Sequence, residues 1–308
     1  MKAEVTNKFG LPQEVVNAIM KDRYTDTNEK PYDISVSALI SPIQQTALAK
    51  RYPNDQIVRD VTDYFWAFIG SIGHSVLEEG WHRELGSVIE KRLYYKTQGV
   101  VIGGKFDNWG NREIRDYKTT KCYKVQKGDY EDWSKQTNIY AFFCDNNDYP
   151  VDTIKIIAML LDWKEHESYK PNYPSAPIVV IPIEKWSKEE AKEYVEERTR
   201  SLLRALQMDD QELAATYPCS MKEMWQDLND ISVLKEGGKR AVRKFETYEE
   251  ASSWLENNYK EGYYIKKRYS DRKRCMKYCN VANHCLQFKK YCEENGHPYP
   301  ENNQETIF

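Results

Sequence analysis

A chain of 308 residues, at about 100–200 residues per domain, holds one large domain or two ordinary ones and can bury a sizeable core. Its 45 Lys and Arg against 48 Asp and Glu leave a net charge of −3, which excludes a uniformly basic nucleic-acid binder and confines any such contact to local patches. With 40% hydrophobic and 30% charged residues, wholesale disorder and collagen-like or coiled-coil architectures are excluded as well.

The longest apolar run, Ile154 to Trp163, is broken by Lys155 and Asp162 and falls far short of the ~20 residues that span a bilayer. The opening MKAEVTNKFG has no apolar signal region, so a soluble, cytoplasmic protein with no membrane partner is expected. In that compartment seven cysteines, three of them crowded at 275, 279 and 285, point to a metal or cluster site and not to disulfides.

In chain order, Pro12 to Lys21 reads as a short helix with Val15, Val16 and Ile19 on one side, and Tyr24 to Asp33 as a polar loop; residues 1–33 form a peripheral segment. Ser35 to Arg51 is predicted helical with a break at Pro42. Val58 to Gly80 is predicted as a longer helix on which Trp66, Gly70, His74 and Glu78 recur every four residues and share a stripe. The period then changes to two. Lys91 to Thr97, Val100 to Asp107 and Arg112 to Lys118 read as strands, the last two expected to pair in a hairpin across Asn108-Trp109-Gly110-Asn111. Glu131 to Cys144 returns to helical spacing, Thr153 to Trp163 and Ile178 to Ile183 read as strands, and Ser187 with Glu190 makes a capping box for a helix from Lys188 to Leu206. This order predicts an α/β core with a mixed central sheet flanked by helices, over 34–210. In the C-terminal region, 211–308, Ile231 to Leu234 and Ala241 to Phe245 read as a basic hairpin. A helix capped by Thr247 and Glu250 completes a ββα insertion over about 231–258.

The segment that carries chemistry is Gly103-Gly104-Lys105-Phe106-Asp107, a turn, then Ile114-Arg115-Asp116-Tyr117-Lys118. Asp116 and Lys118, at i and i+2 of a strand, leave the same face about 7 Å apart. Asp107 on the neighbouring strand makes a carboxylate pair able to share a divalent cation beside an ammonium. Such a group suits phosphodiester hydrolysis: the cation polarises the phosphate and acidifies a water, and the lysine offsets developing charge. Asp-x-Lys alone is common on solvated strand faces, and a lone His on an apolar helix is more often a core residue.

Four motifs in order change that balance. Gly73-His74-Ser-Val-Leu-Glu78, Gly104-Lys105-Phe106-Asp107, Asp116-Tyr117-Lys118 and Gln136-x-x-x-Tyr140 resemble the PD-(D/E)XK nuclease superfamily, in particular RecB-type exonucleases: the AddAB nuclease domain, the CRISPR-associated exonuclease and phage-encoded relatives. The motifs cover 34–163. The resemblance implies a restriction-endonuclease-like fold in which His74, Asp107, Asp116 and the Tyr117 carbonyl hold Mg²⁺ or Mn²⁺, Lys118 is the catalytic lysine, and Gln136 and Tyr140 hold the site or the scissile strand. Asp116 stands where many relatives carry Glu. Glu78 and Glu90, at helix and strand ends, read as solvated and are left out of the metal set.

Cys275-x₃-Cys279-x₅-Cys285 supplies three soft ligands, and a Zn²⁺ or an iron–sulfur cubane needs a fourth. Cys219, after a Tyr-Pro turn, is the preferred candidate, with Cys292 and His284 as competitors; Cys122 and Cys144 read as core residues. All-thiolate ligation fits either [4Fe–4S] or structural Zn²⁺. The resemblance favours iron–sulfur.

Taken together these readings predict a metal-dependent DNA exonuclease acting on linear DNA in phage replication or recombination, with phage replication or recombination proteins as potential partners. Basic stretches Lys235 to Lys244 and Lys266 to Lys277 would grip backbone phosphates, with Tyr264 or Trp109 near bases. The alternative is a non-catalytic nucleic-acid- or partner-binding module on the same fold, against which the intact Asp107, Asp116 and Lys118 argue.

Overall fold

Strand pairing in the first half of the chain is set by two tight turns whose central residues all sit in the left-handed region: Gln98 and Gly99 (φ 48° and 81°) and Asn111 and Arg112 (φ 52° and 61°). Positive φ at both central residues is what a two-residue hairpin turn needs to match strand twist. In the computed structural model the first turn joins Arg92–Thr97 to Val100–Lys105, and the second joins Asn108–Gly110 to Glu113–Thr120. The expected hairpin between Val100–Asp107 and Arg112–Lys118 is therefore corrected. The Asn108-Trp109-Gly110 stretch read as turn is itself a strand, because the chain leaves the first hairpin at Phe106 and Asp107, where the Asp107 carbonyl accepts the Glu90 N–H at 2.9 Å.

The structure describes residues 5–21, 31–53, 58–81, 86–238 and 240–300, without the side chains of 78, 79 and 81. Most of the loop predicted before Asp33, the Glu78 side chain and Lys239 lie outside the described residues. The chain divides into two units, Met1–Ala47 with Val58–Gln207, and Leu48–Ile57 with Met208–Phe308.

The first unit is mixed α/β. A five-stranded sheet runs Ile178–Ile183, Thr153–Leu160, Glu113–Thr120, Asn108–Gly110, Val88–Ile89; a three-stranded sheet runs Ile34–Ser35, Val100–Lys105, Arg92–Thr97. Glu113–Thr120 lies parallel to Thr153–Leu160, with Asp116 opposite Ile156 and Lys118 opposite Ala158, and antiparallel to its other neighbours' direction of travel at Asn108–Gly110. Ile154, Ile156, Ala158 and Leu160 are buried, as alternate positions of a covered strand should be.

The helix Glu131–Asp145 is buried from Thr137 to Cys144. Asn138 fixes its depth, accepting the Trp186 N–H at 2.7 Å and donating to the Glu184 carbonyl at 3.0 Å. Lys188–Gln207 carries the predicted capping box, Glu190 N–H to Ser187 Oγ at 3.1 Å and Ser187 N–H to Glu190 Oε2 at 2.8 Å. The helix expected over 58–80 begins later, at Phe65, after a short strand Arg59–Asp60 and a 3₁₀ turn Val61–Tyr64. Asp60 causes the delay: extended at φ −78° and ψ 150°, it accepts the Thr62 N–H and starts the turn as its cap.

In the second unit, Ala241–Phe245, Leu228–Lys235 and Tyr263–Tyr269 form an antiparallel sheet in that order, with the helix Tyr248–Asn258 against it. The predicted Thr247–Glu250 box is present. The insertion is ββαβ and not ββα. The start of the basic run is its third strand, with Lys266 opposite Ser232, and its charges mask the alternation that would have revealed it.

Candidate active site

The ladder between Glu113–Thr120 and Asn108–Gly110 stops at the Arg115–Asn108 pair, so from Asp116 onward that edge of the strand has no strand partner. Buried main-chain groups must still be satisfied. At Tyr117 two side chains do so: Asp107 Oδ2 accepts its N–H at 2.7 Å, and His74 Nε2 lies 2.9 Å from its carbonyl oxygen. A carboxylate and an imidazole are thereby drawn to one point on the sheet edge, with His74 Nδ1 3.6 Å from Asp107 Oδ2.

The helix Phe65–Trp81 can come this close because it presents glycine to the strand. A Cβ at Gly70 would lie 3.3 Å from Thr119 Oγ1, and one at Gly73 2.7 Å from Met159 Cε and 3.4 Å from Thr119 Cγ2. The Gly-x-x-Gly-His pattern is thus a docking surface that delivers His74.

Asp116 is almost fully buried, and the Lys118 ammonium faces its Oδ2 at 2.7 Å as an ion pair, at an angle that makes no directed hydrogen bond. Lys118 Nζ donates to Gln136 Oε1 at 2.9 Å, and Gln136 Nε2 donates to Tyr140 OH at 2.9 Å. The i and i+4 positions of one helix therefore aim the lysine from its far side. Burial, then the charges of Asp116 and Asp107, push the Tyr140 phenol far up, so it stays neutral.

Burial and the neighbouring Asp116 hold the Asp107 carboxyl well above the usual range, against the pull of Lys118 and the Tyr117 N–H. Burial lowers the His74 imidazole, opposed by Asp116, so it is neutral. With Nε2–H directed at the Tyr117 carbonyl, its Nδ1 lone pair faces Asp107. A neutral imidazole and crowded carboxylates are what a divalent cation requires and compensates.

Glu90 completes the group. One ligand atom each of His74, Glu90 and Asp107 lies within 4.8 Å of the others. That spacing makes the three side chains a group that could hold a metal ion. The sequence reading set Glu90 aside as a solvated strand end; its signal is conformational, a non-glycine residue at φ 50°, held by its own N–H on Asp107 and paired with Lys105. His74, Asp107, Asp116, Lys118, Gln136 and Tyr140 line a cleft of about 380 Å³. Trp109, expected near bases, gives its Nε1–H to the Pro150 carbonyl at 3.1 Å.

In the second unit the four predicted cysteines are electrostatic neighbours. Burial pushes the Cys219 thiol far up, and Cys285, Cys275 and Cys279 add to the shift. Burial with Cys279 and Cys285 raises Cys275 to about 12, and burial raises Cys285 to about 11. Of the competitors for the fourth position, His284 stacks on Tyr52 at 3.9 Å, and the Cys292 thiol lies 3.7 Å from the Pro298 carbonyl.

A scan against protein-family models finds no match, and a search of curated proteins finds none. Among solved structures the chain is similar to SSO0001, at 13% identity and a TM-score of 0.46 over 69% of this chain and 98% of that one. It is also similar to a phage-related exonuclease from Haemophilus somnus 129PT, at 14% identity and 0.38 over 60% and 96%. A third is the alkaline exonuclease LHK-Exo of Laribacter hongkongensis, at 10% and 0.38 over 60% and 94%. Among the described residues no helix is long and apolar enough to cross a membrane.

Proposed function

We propose that the protein is a divalent-metal-dependent DNA exonuclease with a RecB-type PD-(D/E)XK active site. The observation that carries this reading is the convergence of His74, Glu90 and Asp107 within 4.8 Å beside a Lys118 that contacts the buried Asp116 at 2.7 Å. His74, Glu90, Asp107 and Asp116 would hold Mg²⁺ or Mn²⁺, which would supply polarisation of the phosphate and acidification of a water. Lys118, oriented by Gln136 and Tyr140, would donate a hydrogen bond to a phosphate oxygen and offset the charge developing there. The Tyr117 carbonyl, 2.9 Å from His74 Nε2, is the further ligand in this reading.

Cys219, Cys275, Cys279 and Cys285 hold a [4Fe–4S] cluster in this reading, with structural Zn²⁺ as the competing occupant. The substrate is linear DNA in the cytoplasm, and the process is phage replication or recombination.

Degradation of end-labelled single- and double-stranded DNA with Mg²⁺ or Mn²⁺, run beside Lys118→Ala and EDTA controls, tests the catalytic assignment. Activity lost in both controls supports it. A folded parent protein that cleaves neither substrate, or a variant that cleaves as well as the parent, rejects it in favour of a binding module.

A further inference from the structure

The stripe that carries His74 continues two turns toward the start of its helix to Trp66, through Gly70, which packs on Thr119. Eight residues at 1.5 Å each put Trp66 about 12 Å from His74 along the axis. At 3.4 Å per base step this is roughly three or four stacked nucleotides from the scissile position.

Trp66 does not behave as a core residue. It is 57% exposed, propped edge-on by Phe65 at 5.4 Å, and its ring carries the Lys121 ammonium at 5.5 Å. Lys121 is three residues beyond Lys118, where the central strand ends and the chain turns into the next helix. Asp162, whose carboxylate accepts the Cys122 N–H at 2.7 Å, is the acidic group that feels its charge. Tyr123, 67% exposed, lies beside it in sequence.

We infer that Trp66 and Lys121 form a subsite for the single strand flanking the scissile phosphate, the indole stacking on a base and the ammonium leaving the ring for a backbone phosphate. This rests on the nuclease reading above and deepens it. An open indole is a platform for any base, and a lysine on a flexible stem is a mobile phosphate ligand, so the subsite would grip sequence-independently. A single strand is favoured over a duplex because base faces must be free to stack.

The test is binding, measured by fluorescence anisotropy of a labelled oligo-dT 12-mer with Ca²⁺, strand integrity being verified on a gel. Trp66→Ala should weaken binding by about 5- to 150-fold, as loss of one base–aromatic stack does, and Trp66→Phe should restore most of it. Lys121→Ala should flatten the salt dependence by about 0.7 in log–log slope, one single-strand phosphate contact. An abasic position walked along the oligomer should cost the parent most at roughly the third or fourth nucleotide from the cut and cost Trp66→Ala nothing further. Equal affinity of parent and Trp66→Ala, with melting temperatures matched, overturns the subsite while leaving the nuclease reading intact. Changed sedimentation of Trp66→Ala with unchanged DNA affinity also overturns it, assigning the face to a protein contact. A parent that neither binds nor degrades DNA removes the nuclease reading and the subsite together.

Discussion

Replacing Gly104 by alanine perturbs the floor of the cleft at a point where the geometry allows the outcome to be worked out. Gly104 pairs with Leu93 in the strand before Asp107, and a methyl there would lie 2.7 Å from Val36 Cγ2 and 3.0 and 3.2 Å from Tyr140 Cε1 and Cδ1. Carbon contacts are most favourable at about 3.5–4.0 Å, so both neighbours must retreat by several tenths of an ångström or more. Neither is the loose end of a flexible chain. Val36 is 1% exposed on its own helix, and the Tyr140 ring is buried and tied to Gln136. Because neither neighbour can yield, the overpacking cost lies in the upper part of its usual range, about 2–3 kcal/mol, and alanine recovers about 0.5–1 by removing glycine's freedom in the unfolded chain, leaving a net loss of roughly 1–2.5 kcal/mol. In a unit of this size that lowers the melting temperature by about 2–10 °C in calorimetry. A displaced Tyr140 also frees Gln136, so DNA turnover should fall while DNA affinity holds. Gly80→Ala, in a helix with nothing among the described residues within 4 Å of the new methyl, should instead gain about 0.5–1 kcal/mol. Should Gly104→Ala melt with the parent and cleave at its rate, the tight floor and the Tyr140–Gln136–Lys118 linkage are both refuted.

Mg²⁺ at a hundredfold excess over its dissociation constant should stabilise the parent by about 2.7 kcal/mol in thermal melts. Asp107→Asn should abolish that response and, with EDTA, melt no lower than the parent, since it removes one of two crowded carboxylates yet keeps an acceptor for the Tyr117 N–H. His74→Ala should cost about 1–3 kcal/mol in EDTA, because the Tyr117 carbonyl loses the His74 donor, whereas His74→Gln, which keeps a donor, should cost less; equal melts would mean that the edge is satisfied without His74. Burial raises the Asp60 carboxyl, but hydrogen bonds from the Lys8 and Thr62 N–H groups and from Thr62 and Thr6 bring it to about 2. Its contribution of about 1–2 kcal/mol is therefore present above pH ~4 and lost as pH falls toward 2, so Asp60→Asn should be less stable at pH 7 and show a shallower acid transition. Anaerobically purified protein should be brown with broad visible absorbance that Cys219→Ser weakens; a colourless protein with stoichiometric zinc would move the site to the structural reading.

Much of this fold is legible in local chemistry. Ser187 with Glu190 and Thr247 with Glu250 cap helices where their side chains announce it, because a capping box is decided within four residues. Asp116 and Lys118 share a face because i and i+2 always do. What local chemistry does not carry is which strand takes which neighbour. Val100–Lys105 has turn signals on both sides, Gln98-Gly99 and the Asn108–Asn111 stretch, and the alternation of its side chains suits either hairpin. Glu90 is hidden for the same kind of reason: its charge matches a solvated strand end, and only its φ of 50° and the fold of the Asp107 loop turn it inward.

The carboxylates nevertheless meet, although the hairpin expected to bring them together does not form. Strand pairing would have set Asp107 beside Asp116 through the ladder; here the ladder's end does it. Where Asn108–Gly110 stops pairing at Arg115, the Tyr117 amide and carbonyl are left at a covered edge, and leaving either unsatisfied costs about 1–3 kcal/mol. Asp107 and His74 each satisfy one of them, and in doing so are brought together, with His74 Nδ1 3.6 Å from Asp107 Oδ2. The acidic centre is thus preorganised by main-chain hydrogen bonding that needs no ion, while the like charges it gathers are the part that an ion relieves. Were a cation to bind there, the polypeptide's own stability would hold the side chains in place and relief of their mutual repulsion would favour the ion.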